Sequence, residues 1–134
     1  MKKKLVLITG SVMNSDLQSV DTYTKLVSML DSERFDVLSP LDTMKFQGPD
    51  SDRYKRAIQI LNNTKFMIAE MSNVSTGQGM EIQQAANLDI PVLVIAKTGS
   101  KISGLVKGCP VVRNIVFYDD IDSVKEAIDK FVMN

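Results

Sequence analysis

Short apolar runs alternate along the chain with segments of helical periodicity. Five runs have the length of β-strands, namely Leu5–Thr9, Phe35–Leu38, Phe66–Glu70, Pro91–Ala96 and Val111–Tyr118. Between and after them, apolar side chains recur every three or four residues, a spacing typical of amphipathic helices. The helices predicted in this way span Ser19–Leu30, Ser51–Asn62, Gly79–Asn87 and Ile121–Val132. This alternation predicts an α/β protein.

The strands read as buried on both faces. Val92–Ile95 is apolar at every position, as expected where helices cover both sides of a parallel sheet. Because parallel strands are joined by right-handed crossovers, we predict a three-layer, flavodoxin-like or Rossmann-like sandwich with a five-stranded parallel sheet. The segment Ser39–Asp50 contains two prolines and a glycine and lacks a clean period. It is therefore predicted to be a loop over the sheet edge and a candidate lid.

Length and charge limit the classes of function. With 134 residues and 44% hydrophobic content, we expect one domain spanning 1–134. The 16 basic and 16 acidic side chains give a formal net charge of zero, so we expect neither a nucleic-acid nor a membrane partner. After three lysines, the first apolar run is too short for an export signal or a membrane span. We therefore expect a cytoplasmic protein.

The chain lacks histidine and has a single cysteine, Cys109. Ser-His and Cys-His nucleophile pairs, the usual zinc ligand sets and an intrachain disulfide are therefore excluded. We expect no metal and no cofactor.

Candidate ligand-binding residues follow the first, third and fourth strands, because open α/β sheets bind ligands beyond the carboxyl ends of their strands. Gly10 and Ser11 offer close backbone approach and a hydroxyl, although a Gly-Ser turn is also an ordinary structural choice. Gly77 and Gly79 lie where a helix begins, and its free amides and dipole favour an anion such as phosphate. Ser103 is placed to cap a short helix or to bind a phosphate oxygen.

Glu81 is the strongest candidate for a catalytic residue. Its spacing puts it in the first turn of the predicted helix, near the anion site. There a carboxylate can attack or stabilise an electron-poor sugar carbon. The alternative is structural, because acidic residues favour the first turn of any helix through its dipole.

Four segments in order resemble the nucleoside 2-deoxyribosyltransferase superfamily. They are Gly10-Ser11, Ala69–Ser72, Ser75–Ile82 and Ser103–Gly108, and the resemblance extends over nearly the whole chain. Within the superfamily, the sequence is most similar to the 2'-deoxynucleoside 5'-monophosphate N-glycosidases, which cleave the base from a nucleotide. The resemblance implies a nucleotide or nucleoside as small-molecule substrate.

The resemblance also implies roles for individual residues. Glu81 matches the nucleophile that attacks the anomeric carbon and forms a glycosyl-enzyme intermediate. Ser75 and Ser103 match two serines that contact the 5'-phosphate in the hydrolases, whereas the transferases acting on free nucleosides carry an aspartate at the position of Ser75. The loop at the position of Ser103 reaches the neighbouring subunit's site in the family, which implies a homodimer.

The chain departs from the family pattern at three places. Ala57 stands where the family has an aspartate that orients the sugar, Leu7 where the related hydrolases have a tyrosine, and Val12–Asn14 replace their basic loop. Glu70 is a possible second carboxylate. Two interpretations follow, namely an N-glycosidase or deoxyribosyltransferase with altered substrate scope, or a catalytically weakened nucleotide-binding or regulatory module.

Overall fold

The computed structural model describes residues 2–11, 17–73 and 75–133. Its strands are β1 (Lys4–Gly10), β2 (Phe35–Leu38), β3 (Thr64–Glu70), β4 (Val92–Lys97) and β5 (Val112–Tyr118). Its α-helices are α1 (Leu17–Ser28), α2 (Pro40–Thr43), α3 (Asp50–Asn63), α4 (Thr76–Asn87), α5 (Gly104–Lys107) and α6 (Lys125–Val132), with a 3-10 turn at Ile121–Val124 before α6.

The five strands form one parallel sheet in the order β2-β1-β3-β4-β5, which confirms the predicted architecture. The chain first moves outward from β1 to β2 and then returns to add β3 on the other side of β1. Loops leaving β1 and β3 therefore diverge at the carboxyl edge, and the crevice between them is where open α/β sheets bind ligands.

Helices cover both faces of the sheet, so each face has its own apolar core. On one face, side chains of α1 and α6 such as Leu26 and Ile128 pack against Ile8 and Ile68 of the sheet. On the other, residues of α3, α4 and α5 pack against the odd-numbered positions of β1 and β3, such as Leu7 and Met67. Neighbouring residues Met67 and Ile68 are both 0% exposed. This double burial explains the uninterrupted apolar runs.

The helix α4 begins at Thr76, three residues before the predicted start at Gly79. Ser75 caps it, because its hydroxyl accepts a hydrogen bond from the Gln78 amide at 3.3 Å. Glu81 is consequently the sixth residue of the helix, in the second turn and not in the first as predicted. The dipole preference for acidic residues is confined to the first turn, so it does not account for Glu81.

The segment predicted as a loop between Ser39 and Asp50 contains the short helix α2. A reciprocal cap starts it: the Ser39 amide donates to the Asp42 carboxylate at 2.9 Å, and the Leu41 amide donates to the Ser39 hydroxyl at 3.1 Å. Pro40 fits this helix because the first helical position needs no amide donor. The sequence carries this Ser-x-x-Asp signal, which the prediction of a loop missed.

Candidate active site

A cavity of about 510 Å³ lies on the α3–α4 face of the sheet. Leu7 and the backbone of Gly10 form part of its floor, the two helices contribute opposite walls, and the segment around α2 adds a third side. Further lining residues are Met44, Phe46, Asp50, Arg53, Tyr54, Arg56, Ala57, Gly77, Met80 and Glu81. The lining is mainly apolar, with a few charged groups, as is usual for small-molecule sites.

Glu81 projects into this cavity from the second turn of α4. Burial raises the pKa of its carboxyl from 4.5 to about 7, because desolvation penalises the charged form. Within the described residues, its carboxylate forms neither a hydrogen bond nor an ion pair. At neutral pH the group is therefore divided between its protonated and ionised forms, and its oxygens are open to a ligand.

Gly10 is glycine for a packing reason. A Cβ built on it would lie 2.0 Å from the Tyr23 hydroxyl, far inside any normal contact. That hydroxyl donates a hydrogen bond to the Ser11 carbonyl at 3.0 Å. The missing side chain of Gly10 thus leaves room for a tyrosine, whereas its backbone still lines the cavity. The expected close approach of a ligand is not needed to explain this glycine.

Glu70 does not come together with Glu81. Even-numbered residues of β3 face α1 and α6 and odd-numbered ones face α3 and α4, since side chains alternate along a strand. Glu70 and Ser11 instead line a small cavity of about 30 Å³ with Tyr23 and Tyr118. The expected second carboxylate is thus on the other side of the sheet from the nucleophile candidate.

Hydrogen bonds hold the Glu70 carboxylate where it is. It accepts from the Ser72 amide at 2.8 Å, from the Ser72 hydroxyl at 2.7 Å and from the Tyr118 hydroxyl. The Ser72 hydroxyl in turn accepts from the Lys97 amide at 2.8 Å. Burial, with the nearby Glu70 charge, raises the pKa of Tyr118 well above its usual range, so its hydroxyl stays a donor. This network joins the carboxyl ends of β3, β4 and β5.

The first turn of α4 has a capping side chain and two glycines with open space beside them. Ser75 serves as the cap described above, and Gly77 lines the cavity beside it. A Cβ added at Gly77 or at Gly79 would meet nothing within 4 Å. Packing therefore explains Gly10 but neither of these glycines, and the space beside their backbone is open.

Gln78 holds the start of α4 against the sheet. Its buried side-chain amide donates to the Thr9 hydroxyl and to the Glu70 carbonyl, both at 3.0 Å. These partners lie at the carboxyl ends of β1 and β3, and Glu81 lies about one turn further along the helix. Pattern analysis missed this residue, although a glutamine at an inward helical position is an unusual choice for a core.

Ser103 lies apart from Glu81 within one chain. It caps α5, where the Leu105 amide donates to its hydroxyl at 3.2 Å, and it is exposed outside the cavity lining. Ala57 and Leu7, by contrast, both line the cavity. The polar side chains of the family pattern are thus absent from the cavity at these two positions.

Two arginines of α3 reach the cavity and were missed from the sequence. Arg53 is held in place: its guanidinium donates to the Phe46 carbonyl at 3.4 Å and stacks over the Phe46 ring, 5.2 Å from the centroid. Arg56 has no such partner among the described residues. The detectable signal was the spacing, since Arg53, Arg56 and Ala57 share a helix face with the buried Leu61.

Two kinds of feature are absent from the residues that the structure describes. No helix there combines the length and apolar character required to cross a bilayer. No cluster of three or more Asp, Glu, Cys or His side chains there is arranged to hold a metal ion. The loop Val12–Asn14, which replaces the family's basic loop, lies outside the described residues.

Comparison with known proteins gives relatives along almost the full chain. No family model matches the sequence. A protein of Methanosarcina mazei named "Putative 2'-deoxynucleoside 5'-phosphate N-hydrolase 1" is 28% identical over 137 residues, covering 97% of this chain and 84% of the relative. A second protein of the same name, from Methanosarcina barkeri, is 27% identical, and the similarity covers 96% of this chain and 84% of that protein.

Solved structures show the same fold. The CMP N-glycosidase of Clostridium botulinum superposes with a TM-score of 0.74 at 19% identity, over 96% of this chain and 100% of the other. The 2-deoxyribosyltransferase of Bacillus psychrosaccharolyticus superposes with a TM-score of 0.67 at 15% identity, over 90% of each chain. In sequence, this chain is therefore similar to proteins named as 2'-deoxynucleoside 5'-phosphate N-hydrolases, and in fold it is similar to a CMP N-glycosidase and a 2-deoxyribosyltransferase.

Proposed function

We propose that this protein cleaves, or transfers, the N-glycosidic bond of a nucleoside 5'-monophosphate, with Glu81 as the nucleophile. The observation that carries the proposal is the position of Glu81, a partly desolvated carboxylate that has no partner among the described residues and faces a ligand-sized cavity. The names of the relatives support it, since they are N-hydrolases of nucleoside 5'-phosphates and an N-glycosidase of CMP.

The nucleotide would lie along α4. Its phosphate would bind at the first turn, beside Ser75 and Gly79, where the Gly77 amide and the positive end of the helix dipole face the open space. Glu81 follows Gly77 by four residues, about 6 Å along the helix axis, which is close to the span from phosphorus to C1' in a ribose 5-phosphate. The base would then extend towards the α2–α3 side of the cavity.

The chemistry is a displacement at C1' in two steps. The ionised Glu81 carboxylate attacks C1', the bond from C1' to the base nitrogen breaks, and the bonding electron pair leaves with the base. In hydrolysis, water then attacks C1' of the glycosyl-enzyme, Glu81 departs as a carboxylate and the water's proton ends on the base. In transfer, a second base takes the place of water.

We propose a homodimer as the working unit. Ser103 lies outside the cavity of its own chain, so it would reach a phosphate only in a neighbouring subunit. Leu105, two residues further along, is 88% exposed, so an interface formed by this turn would also bury an apolar side chain. We further propose that the 134 residues act as one domain, in the cytoplasm.

The test is release of free base from a panel of ribo- and deoxyribonucleoside 5'-monophosphates and the matching nucleosides, measured by chromatography. We expect base release from one or more monophosphates, and its loss by at least a hundredfold in Glu81→Gln, which keeps the size and polarity of the side chain. Because the nucleophile must be ionised, kcat/KM should rise with pH through about 7.

Unchanged release by Glu81→Gln would overturn the nucleophile assignment. Nucleotide binding in a thermal-shift assay without any release by the natural sequence would instead favour the nucleotide-binding module, which the apolar Leu7 and Ala57 also fit.

A further inference from the structure

The cavity carries four charged side chains among its described lining residues, and three of them have assigned roles. They are Asp50, Arg53, Arg56 and Glu81. Arg53 is engaged by Phe46, and its Nε lies 3.9 Å from the fully exposed Asp50 carboxylate. Glu81 is the proposed nucleophile. This leaves the Arg56 guanidinium as a cation at the cavity without a protein partner among the described residues.

A second carboxylic acid is missing from the place where a leaving base would need a proton. Position 57 is alanine, Glu70 is on the opposite face of the sheet, and Asp50 is exposed beside Arg53. Arginine does not replace such an acid, because its guanidinium keeps its protons in proteins. It can donate hydrogen bonds to a group that becomes negative.

We propose that Arg56 stabilises the departing base as an anion, and that the preferred substrates are nucleotides of 2,4-dioxopyrimidines such as uracil. This inference rests on the proposed function above. When the bond from C1' to N1 breaks, the electron pair passes to N1 and is shared with the carbonyl oxygens at C2 and C4. Arg56 donates N–H groups to one of these oxygens, a charge-assisted contact that strengthens as the charge develops.

The preference follows from which bases can leave without a proton. A dioxopyrimidine departs as a delocalised anion and takes its proton from water afterwards. Cytosine is a poorer anion, and adenine has no carbonyl oxygen for the guanidinium to contact. The departure of both is eased by prior protonation of a ring nitrogen, for which the described lining offers, besides Glu81, only the fully exposed Asp50 carboxyl beside Arg53. Its base side, formed by Met44, Phe46 and Tyr54, is apolar and aromatic, and a base packed against these side chains would shield the contact between the guanidinium and the oxyanion from water.

The experiment compares Arg56→Gln with Lys55→Gln on dUMP, 5-fluoro-dUMP and dAMP and on the corresponding ribonucleotides. Lys55 is the neighbouring exposed cation of α3 and does not line the cavity, so it controls for loss of charge alone. We expect the natural sequence to favour uracil over adenine nucleotides by at least about tenfold in kcat/KM.

Arg56→Gln should lower kcat on dUMP by about ten- to a hundredfold. The loss should be smaller on 5-fluoro-dUMP, whose base is a more stable anion, and Lys55→Gln should change neither rate.

Equal losses on all substrates, equal losses in the two variants, or a preference for adenine nucleotides would each overturn this inference while leaving the proposed function standing. If no nucleotide releases base, either in this experiment or in the full panel above, the proposed function is overturned and this inference with it.

Discussion

Replacing Gly10 with alanine tests whether packing or ligand approach keeps this position glycine. The new Cβ would lie 2.0 Å from the hydroxyl oxygen of Tyr23, 2.8 Å from its Cζ and 3.0 Å from its Cε1. Backbone strain plays no part, because the positive-φ glycines among the described residues are Gly48 and Gly99. The clash itself is therefore the perturbation, and it falls on a side chain that is only 3% exposed.

The magnitude follows from two costs. The ring must move by more than about 1 Å to restore a normal contact, and overpacking of this kind costs about 1–3 kcal/mol. The shift also breaks the 3.0 Å hydrogen bond from Tyr23 to the Ser11 carbonyl, which adds about 1 kcal/mol. We expect Gly10→Ala to lower the free energy of unfolding by about 3 kcal/mol, a large part of the stability of a domain of this size.

The assay is urea unfolding followed by far-ultraviolet circular dichroism, since the chain has no tryptophan. A double-mutant cycle with Tyr23→Phe isolates the contact, because phenylalanine lacks the oxygen nearest to the new Cβ. Tyr23→Phe alone should cost about 1 kcal/mol, and in its presence Gly10→Ala should cost about 1–2 kcal/mol less than in the natural sequence. Gly79→Ala is the matched control, because its Cβ meets nothing within 4 Å and alanine favours the helix.

The opposite pattern would refute the packing argument. If Gly10→Ala unfolds at the same urea concentration as the natural sequence and only weakens nucleotide binding, the glycine serves ligand approach. Additive effects of Gly10→Ala and Tyr23→Phe would likewise show that the two residues do not compete for the same space.

Two further predictions concern Glu81 and Ser75. Burial gives Glu81 a higher pKa in the folded chain, about 7, than the 4.5 of an unfolded one, so the folded state binds this proton more tightly and stability falls as pH rises from about 4.5 to 7. Glu81→Gln should therefore be more stable than the natural sequence by about 3 kcal/mol at pH 8 and equal to it below about pH 4.5; a constant difference across urea titrations at these pH values would contradict the buried-carboxyl argument. Ser75→Asp should keep the cap of α4, because aspartate and serine cap helices equally well. It should weaken the binding of nucleoside 5'-monophosphates at least tenfold, through repulsion of the phosphate, and leave the binding of nucleosides unchanged. If calorimetry gives each ligand class the same affinity for the variant as for the natural sequence, the phosphate does not bind at this end of the helix.

The sequence by itself determined the class of fold and the identity of the principal candidate residue. Continuous apolar runs alternating with amphipathic segments have few solutions other than a parallel sheet covered on both faces, because the runs and the helical period are both local properties of the chain. The order of small motifs between Gly10 and Gly108 carried the resemblance to the superfamily, and it agrees with the relatives named as 5'-phosphate N-hydrolases and with the shared fold.

Only the tertiary structure decided which side chains share a cavity. A residue's face on a strand depends on register and on which helix crosses above it, so Glu70, a candidate beside Glu81, lies across the sheet from it. Likewise the reason for Gly10 is Tyr23, which is distant in sequence, and the reach of Arg56 into the cavity depends on how α3 packs. Local periodicity predicts the elements, whereas long-range packing sets their partners, and it is the partners that give these residues their chemistry.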